Sequence, residues 1–188
     1  MNYFDQGTNA EDYIRMSRKY DGRELIPPLR AHLPDGSNLL EVGMGPGKDL
    51  DLLRKHYEVT GSDSAQAFLE IYRGKNPDAD LLLLDAVTLD TDRRFYGIFS
   101  NKVLMHLTRE ALKRSFQRQA ELLNPGGIAF HTFWRGEKEE IYDGLRFVYY
   151  QPDSMLDLIT PDFSVIDSKI YKESAKADSF YIILQKVI

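Results

Sequence analysis

The sequence contains no cysteine in 188 residues. This removes disulfides, thiolate metal clusters and every mechanism that needs a cysteine nucleophile. It also agrees with a reducing compartment, so a cytoplasmic setting is expected. No metal site is expected. Positive charge is in short supply: 24 Lys and Arg stand against 29 Asp and Glu, a formal net charge of −5 with a pI near 5.4. Such a chain has no global attraction to nucleic acid or anionic lipid, and neither is expected as a partner. Long apolar runs are missing, and none approaches the ~20 residues a membrane helix needs. The opening stretch MNYFDQGTNAED is polar and acidic, unlike a signal peptide. What remains is 43% hydrophobic and 28% charged, as in soluble globular chains. The length fits one domain over residues 1–188, with a core that needs no staples.

Short apolar runs alternate with helix-like stretches. The runs are Asn38–Val42, Glu58–Gly61, Leu81–Leu84, Tyr96–Phe99 and Gly127–Phe133. The alternation predicts an α/β fold, a mostly parallel sheet with helices on both faces. Leu81–Leu84 is apolar at every position, which predicts a strand buried on both sides. Thr8 with Glu11 forms a capping-box pattern before a helix over Asp12–Tyr20. Asp63 or Ser64 is placed to cap Ala65–Arg73, and Thr108 to cap a helix that stops at Asn124-Pro125-Gly126-Gly127. Near the end, Phe163–Tyr171 and Phe180–Val187 are joined by the short polar link KESAKADS, so an antiparallel pair is expected, with the last run inside the sheet. Residues 1–37 precede the first strand and are read as a helical lid segment over the carboxyl edge of the sheet.

The stretch LLEVGMGPGKDL carries the most information. A strand meets Gly43, Gly45 and Gly47, where a backbone without Cβ atoms turns sharply and admits a ligand closely. A phosphate-binding P-loop needs four residues between its glycines and a Lys-Ser/Thr pair after them. Here the spacing is one short and Asp49 replaces the hydroxyl. A dinucleotide fingerprint needs Gly-x-Gly-x-x-Gly. Here Gly47 comes one residue early, and Glu41 precedes the loop, awkward beside a pyrophosphate. The loop suits a ligand without phosphate, or a cationic one. Glu41, Asp63 and Asp85 are spaced 22 residues apart, twice over, each at or after a predicted strand. That puts three carboxylates along the edge where open α/β sheets bind ligands.

The stretches EVGMGPG, VTGSDSA, LLLLDAVTL, FYGIFSNKVLMHL and LLNPGGIAFHTF run in this order from Leu39 to Phe133. They resemble the class I S-adenosylmethionine-dependent methyltransferases. The resemblance implies a three-layer α/β/α sandwich around a seven-stranded sheet, order 3-2-1-4-5-7-6, with strand seven antiparallel. It implies S-adenosylmethionine as cofactor and S-adenosylhomocysteine as product. Glu41 would sit near the methionine end, and Gly43, Met44 and Gly45 would line the cofactor with bare backbone. Asp63 would accept from both ribose hydroxyls, with Ser64 next to the adenine. Asp85 would accept from the adenine amino group, and the Ala86 N–H would donate to a ring nitrogen. Ser100 and Asn101 would flank the methionine moiety.

Methyl transfer is an in-line displacement on an activated carbon, so alignment and exclusion of water can carry most of the catalysis. A general base is needed only where the nucleophile must lose a proton. His106, shortly after the fourth strand, is the candidate for it. His131 lies inside the fifth strand and reads as core or rim. The resemblance also narrows the acceptor. The Asn/Asp/Ser-Pro-Pro-aromatic signature of exocyclic-amine nucleic-acid methylation is replaced by SNKVLMH, and no room remains for the β-domain of arginine methyltransferases. A small molecule is left, under a lid made of residues 1–37 and a substrate-side insert at 134–152. The aromatic candidates for gripping it are Tyr3, Phe4, Tyr13, Trp134 and Tyr150, and Arg135 is placed to meet a carboxylate. The alternatives are a non-catalytic S-adenosylmethionine-binding module, a nicotinamide-nucleotide oxidoreductase and a nucleic-acid methyltransferase.

Overall fold

A computed structural model describes residues 3–6, 8–142, 144–174 and 177–187, Tyr3 by its backbone alone. Nine strands and six helices follow one another in it: α1 (Asn9–Met16), α2 (Ile26–His32), β1 (Asn38–Val42), α3 (Lys48–Leu53), β2 (Glu58–Asp63), α4 (Gln66–Arg73), β3 (Leu81–Leu83), β4 (Phe95–Asn101), α5 (Arg109–Leu122), β5 (Leu123–Trp134), β6 (Glu139–Tyr142), β7 (Leu145–Val148), α6 (Pro152–Leu156), β8 (Phe163–Tyr171) and β9 (Ser179–Lys186). Seven of the strands form one sheet in the order β3-β2-β1-β4-β5-β9-β8, and β6 and β7 form a separate hairpin. β9 runs antiparallel to both of its neighbours, and the β1–β5 pairings are parallel. Counting sheet strands alone, this is the expected order, and the last strand lies inside the sheet as its apolar run implies.

Side chains alternate between the two faces with the period of two that a pleated strand imposes. On one face Leu40, Ile98, Ala129, Ile182 and Leu184 meet Leu112, Phe116 and Ala120 of α5. On the other, Leu39, Phe99, Phe130, Tyr181 and Ile183 meet Leu29 and Leu33 of α2 and its end, and Leu53 of α3. Three of these rings form a ladder across β4, β5 and β9, with centroids 5.3 Å apart for Phe99–Phe130 and 5.1 Å for Phe130–Tyr181. The α5 helix starts where the sequence reads its cap, with Thr108 Oγ1 accepting from the Ala111 N–H at 3.2 Å.

Three expectations need correction. β3 pairs only with β2, so it is the sheet edge, and Leu83 is 58% exposed. An all-apolar run does not distinguish the interior from an edge shielded on one face. The Thr8 hydroxyl donates to Asp12 Oδ2 instead of accepting from a helix N–H, and the helix runs over Asn9–Met16, followed by a 3-10 turn at Ser17–Lys19. Only the first part of residues 1–37 covers the carboxyl edge, because α2 packs flat on the sheet face. A Cβ on Gly97 would come within 2.6 Å of the Leu33 side chain.

Candidate active site

The glycine loop links β1 to α3. Gly43, Gly45 and Gly47 all have positive φ, at 71°, 49° and 83°. At two of them space is also decisive: a Cβ on Gly43 would lie 2.5 Å from a Val103 methyl carbon, and one on Gly47 would lie 2.2 Å from the Tyr72 ring. Asp63, at the end of β2, pins the loop. Its Oδ2 accepts from the Gly45 N–H and its Oδ1 from the Ala65 N–H, both at 2.9 Å. Burial nevertheless raises its pKa above the usual carboxylate range.

Acids dominate this edge. Glu41 is buried, and its Oε2 has no hydrogen-bond partner. Burial, then the charges of Asp49, Asp63 and Asp51, push its pKa well up. Asp49, in the first turn of α3, is raised by burial although Asn101 Nδ2 donates to its Oδ2 at 2.8 Å and the Tyr20 hydroxyl to its Oδ1 at 3.3 Å. Asp85 is not with them. It is exposed, and its Oδ1 accepts from the Val87 and Thr88 N–H groups at 2.8 and 3.1 Å, a local turn. Ser64 is exposed beside Asp63.

A cavity of about 580 Å³ opens beside the loop. Its floor is Gly43–Pro46, Asp49 and Asn101, and α1 with the turns before and after it closes one side through Phe4, Tyr13 and Tyr20. The other side is Trp134 with Tyr142, Leu145 and Phe147 of the β6–β7 hairpin, so the 134–152 segment contributes a cover. Phe4, Tyr13 and Phe68 pack together, with Phe4 and Tyr13 centroids 5.3 Å apart. The Tyr3 side chain lies outside the described residues. Tyr150 is in the core, not in the cavity wall: it is fully buried against Phe133, under the Arg109 guanidinium. Arg135 donates to Gln151 Oε1 and to the Ala177 carbonyl, also away from the cavity wall.

Ser100 and Asn101 point to opposite sides of β4. Asn101 faces the cavity, whereas Ser100 is buried at the head of a polar chain. The chain runs Ser100 Oγ to His131 Nδ1 (2.8 Å), His131 Nε2 to Gln119 Oε1 (2.8 Å), Gln119 Nε2 to Ser115 Oγ (3.0 Å) and Ser115 Oγ to the Ala86 carbonyl (2.6 Å). The carbonyl can only accept, so each donor upstream is fixed, and His131 is neutral with its proton on Nε2. Burial lowers its pKa to about 3. This chain ties β4 and β5 to the loop after β3, and so fixes Ala86 from behind.

Lys48, Lys102 and Glu173, which the sequence reading missed, also face the cavity. Lys102 follows β4 at φ 57°, a strained value for a side-chain-bearing residue. Its Nζ lies 3.0 Å from Glu173 Oε2 and 4.2 Å from the Trp134 ring centroid. Burial lowers its pKa despite the Glu173 charge. His106 is in the wall as well, with Nδ1 2.6 Å from the Arg146 carbonyl, so Nδ1 carries the proton and Nε2 a lone pair. Burial lowers its pKa and keeps the ring neutral. Among the described residues no group of acids and histidines could hold a metal ion, and no helix is long and apolar enough to cross a membrane.

Residues 39–127 match the methyltransferase domain family model. Over 110 residues the chain is 32% identical to a tRNA (carboxymethyluridine(34)-5-O)-methyltransferase of Arabidopsis thaliana, covering 57% of this chain and 26% of that protein. Over 116 residues it is 28% identical to a dTDP-4-amino-2,3,4,6-tetradeoxy-D-glucose N,N-dimethyltransferase of Saccharopolyspora spinosa, covering 59% and 46%. The chain thus spans less than half the length of these curated relatives. The structure superposes on an S-adenosylmethionine-dependent methyltransferase of Clostridium acetobutylicum with a TM-score of 0.78, covering 95% of this chain and 97% of that one at 13% identity. Over residues 39–127 the chain thus matches the methyltransferase domain family, and its seven-stranded sheet has the fold of S-adenosylmethionine-dependent methyltransferases.

Proposed function

We propose that this chain transfers a methyl group from S-adenosylmethionine to a small-molecule acceptor. The observation that carries this reading is the wall of one cavity: bare glycine backbone and Asp49 on its floor, a neutral histidine and an aromatic cover opposite. A buried Glu41 oxygen without a partner fits a cationic ligand and not a phosphate. Gly43, Met44 and Gly45 line the cofactor, Glu41 and Asp49 face its ammonium end, and Asp63 holds the loop while offering its free lone pairs to the ribose. Asp85 and the Ala86 N–H bound the adenine side. When bound, the cofactor supplies a methyl group activated by its sulfonium.

The chain's own part is to hold the acceptor dry and aligned and to take up a proton. His106 Nε2 is the acceptor for that proton, because Nδ1 is committed to the Arg146 carbonyl. A small molecule is favoured over RNA by the net charge of −5 and by the aromatic cover on both sides of the cavity. Calorimetry with S-adenosylhomocysteine, followed by methyl-transfer assays on small-molecule panels and on bulk tRNA, tests the reading. Binding with transfer to small molecules is expected. Absence of binding refutes the methyltransferase reading, and transfer to tRNA alone refutes the small-molecule one.

A further inference from the structure

The cavity wall holds two cations, and both are saturated by the protein itself. An ammonium has three N–H donors. Those of Lys48 lie against the carbonyls of Ser17, Arg18 and Tyr20, at 2.5, 2.6 and 3.3 Å. Those of Lys102 go to the Phe133 carbonyl at 3.1 Å, Ser179 Oγ at 2.8 Å and Glu173 Oε2 at 3.0 Å. No donor is left on either for a carboxylate or phosphate, and such a group would be desolvated next to Asp49. What the wall does offer is acceptors. Glu173 Oε1 makes no hydrogen bond among the described residues, and the ring of His106 presents a lone pair on Nε2. Trp134 and Phe147 surround them with aromatic surface.

Resting on the methyltransferase reading above, we propose that the acceptor is an amine on an aromatic or apolar body, held by Glu173 and deprotonated by His106. An ammonium has donors and no acceptors, which is the complement of this wall, and aromatic faces favour a cation. The ammonium gives one proton to His106 Nε2. The freed nitrogen lone pair then forms the N–C bond as the donor's S–C bond breaks, and that electron pair returns to sulfur. The product leaves as a methylated ammonium, and His106 releases its proton to solvent. A carboxylate acceptor would need no base and would find no cation.

The test uses the full chain saturated with S-adenosylhomocysteine and the fluorescence of Trp134, the single tryptophan in the sequence. The probes are phenethylamine and its matched carboxylate, 3-phenylpropanoate. Saturable quenching by the amine is expected, with the carboxylate at least about tenfold weaker, the size of one charged hydrogen bond. Glu173→Gln is expected to weaken the amine about tenfold and to strengthen the carboxylate, because Lys102 loses its internal anion. Lys102→Met is the second variant and should strengthen the amine by unpairing Glu173. The inference is overturned if the carboxylate binds as tightly as the amine, if the amine gives no saturable signal, or if both variants leave the ratio unchanged. Failure of S-adenosylhomocysteine itself to bind would instead overturn the methyltransferase reading.

Discussion

His131 offers a quantitative test of the buried polar chain. The ring is fully buried and neutral, with its pKa lowered from 6.5 to about 3. The unfolded chain therefore takes up a proton at this residue as pH falls below 6.5, while the folded chain does not until near 3. By linkage, the folded-state pKa is depressed, so stability is fully present above 6.5 and is lost as pH falls toward 3. At 1.36 kcal/mol per unit the full loss is on the order of 5 kcal/mol, and about 2 kcal/mol of it falls between pH 7 and pH 5. Other groups act in the same range: the raised carboxylates of Glu41, Asp49 and Asp63 favour the folded state as pH falls. The informative quantity is therefore a difference. His131→Gln removes the titration but leaves the other groups in place. It lowers stability at pH 7 by breaking bonds to Ser100 and Gln119, and its deficit should shrink by about 2 kcal/mol at pH 5. Urea unfolding of both proteins at the two pH values measures the gap. A gap that is the same at pH 7 and pH 5 would refute the neutral, buried assignment and with it the direction of the whole chain.

Glu41→Gln removes a carboxyl whose ionisation burial and the neighbouring carboxylates oppose, so thermal stability of the free protein at pH 8 should rise while affinity for S-adenosylhomocysteine falls about tenfold, the weight of a charged hydrogen bond. Thermal shift and calorimetry read the two opposed effects, and a loss of both would mean that Glu41 is structural. Gly43→Ala places a side chain at φ 71° against Val103, so it should cost about 1–2 kcal/mol from conformation alone. Val103→Ala in the same background should recover stability only to the extent that contact contributes, which a double-mutant cycle isolates. Thr108→Ala removes the cap of α5 and should cost about 1 kcal/mol with S-adenosylhomocysteine affinity unchanged, because the cap lies outside the cavity wall.

Local features were readable and contacts between distant segments were not. The glycine loop, the strand runs and the Thr108 cap each sit within a few residues, and the structure places them as their chemistry requires. The β6–β7 hairpin had a local signal that went unread: Asp143-Gly144 between two extended runs is a turn dipeptide, and Gly144 has φ 79°. In the polar chain, Ser115 and Gln119 are four apart on one helix face and so are legible as a pair. Ser100 and His131 meet only through the β4–β5 register, which no local pattern encodes. Lys102 and Glu173 are further apart still, and the link that carries Glu173 reads as a plain polar connection. Asp85 is exposed where Asp63 is buried, because equal spacing along the chain does not set equal depth: Asp63 is tied inward by the loop's N–H groups, whereas Asp85 closes its own turn.

The acids at the carboxyl edge cannot be accounted for by folding alone. Asp63 has two backbone donors, and Asp49 has Asn101 and Tyr20. Glu41 retains a buried oxygen with nothing bound to it, among three further carboxylates that raise its pKa. An arrangement chosen for stability would replace that glutamate with an apolar or amide side chain, since an unpaired buried charge costs several kcal/mol. A phosphate ligand would deepen the repulsion. A ligand with positive charge removes it and lowers the pKa values of the whole group at once. The same carboxylates that argue against a phosphate cradle in the linear sequence therefore argue, in three dimensions, for a cationic cofactor. The two saturated lysines extend that preference across the cavity to the acceptor side.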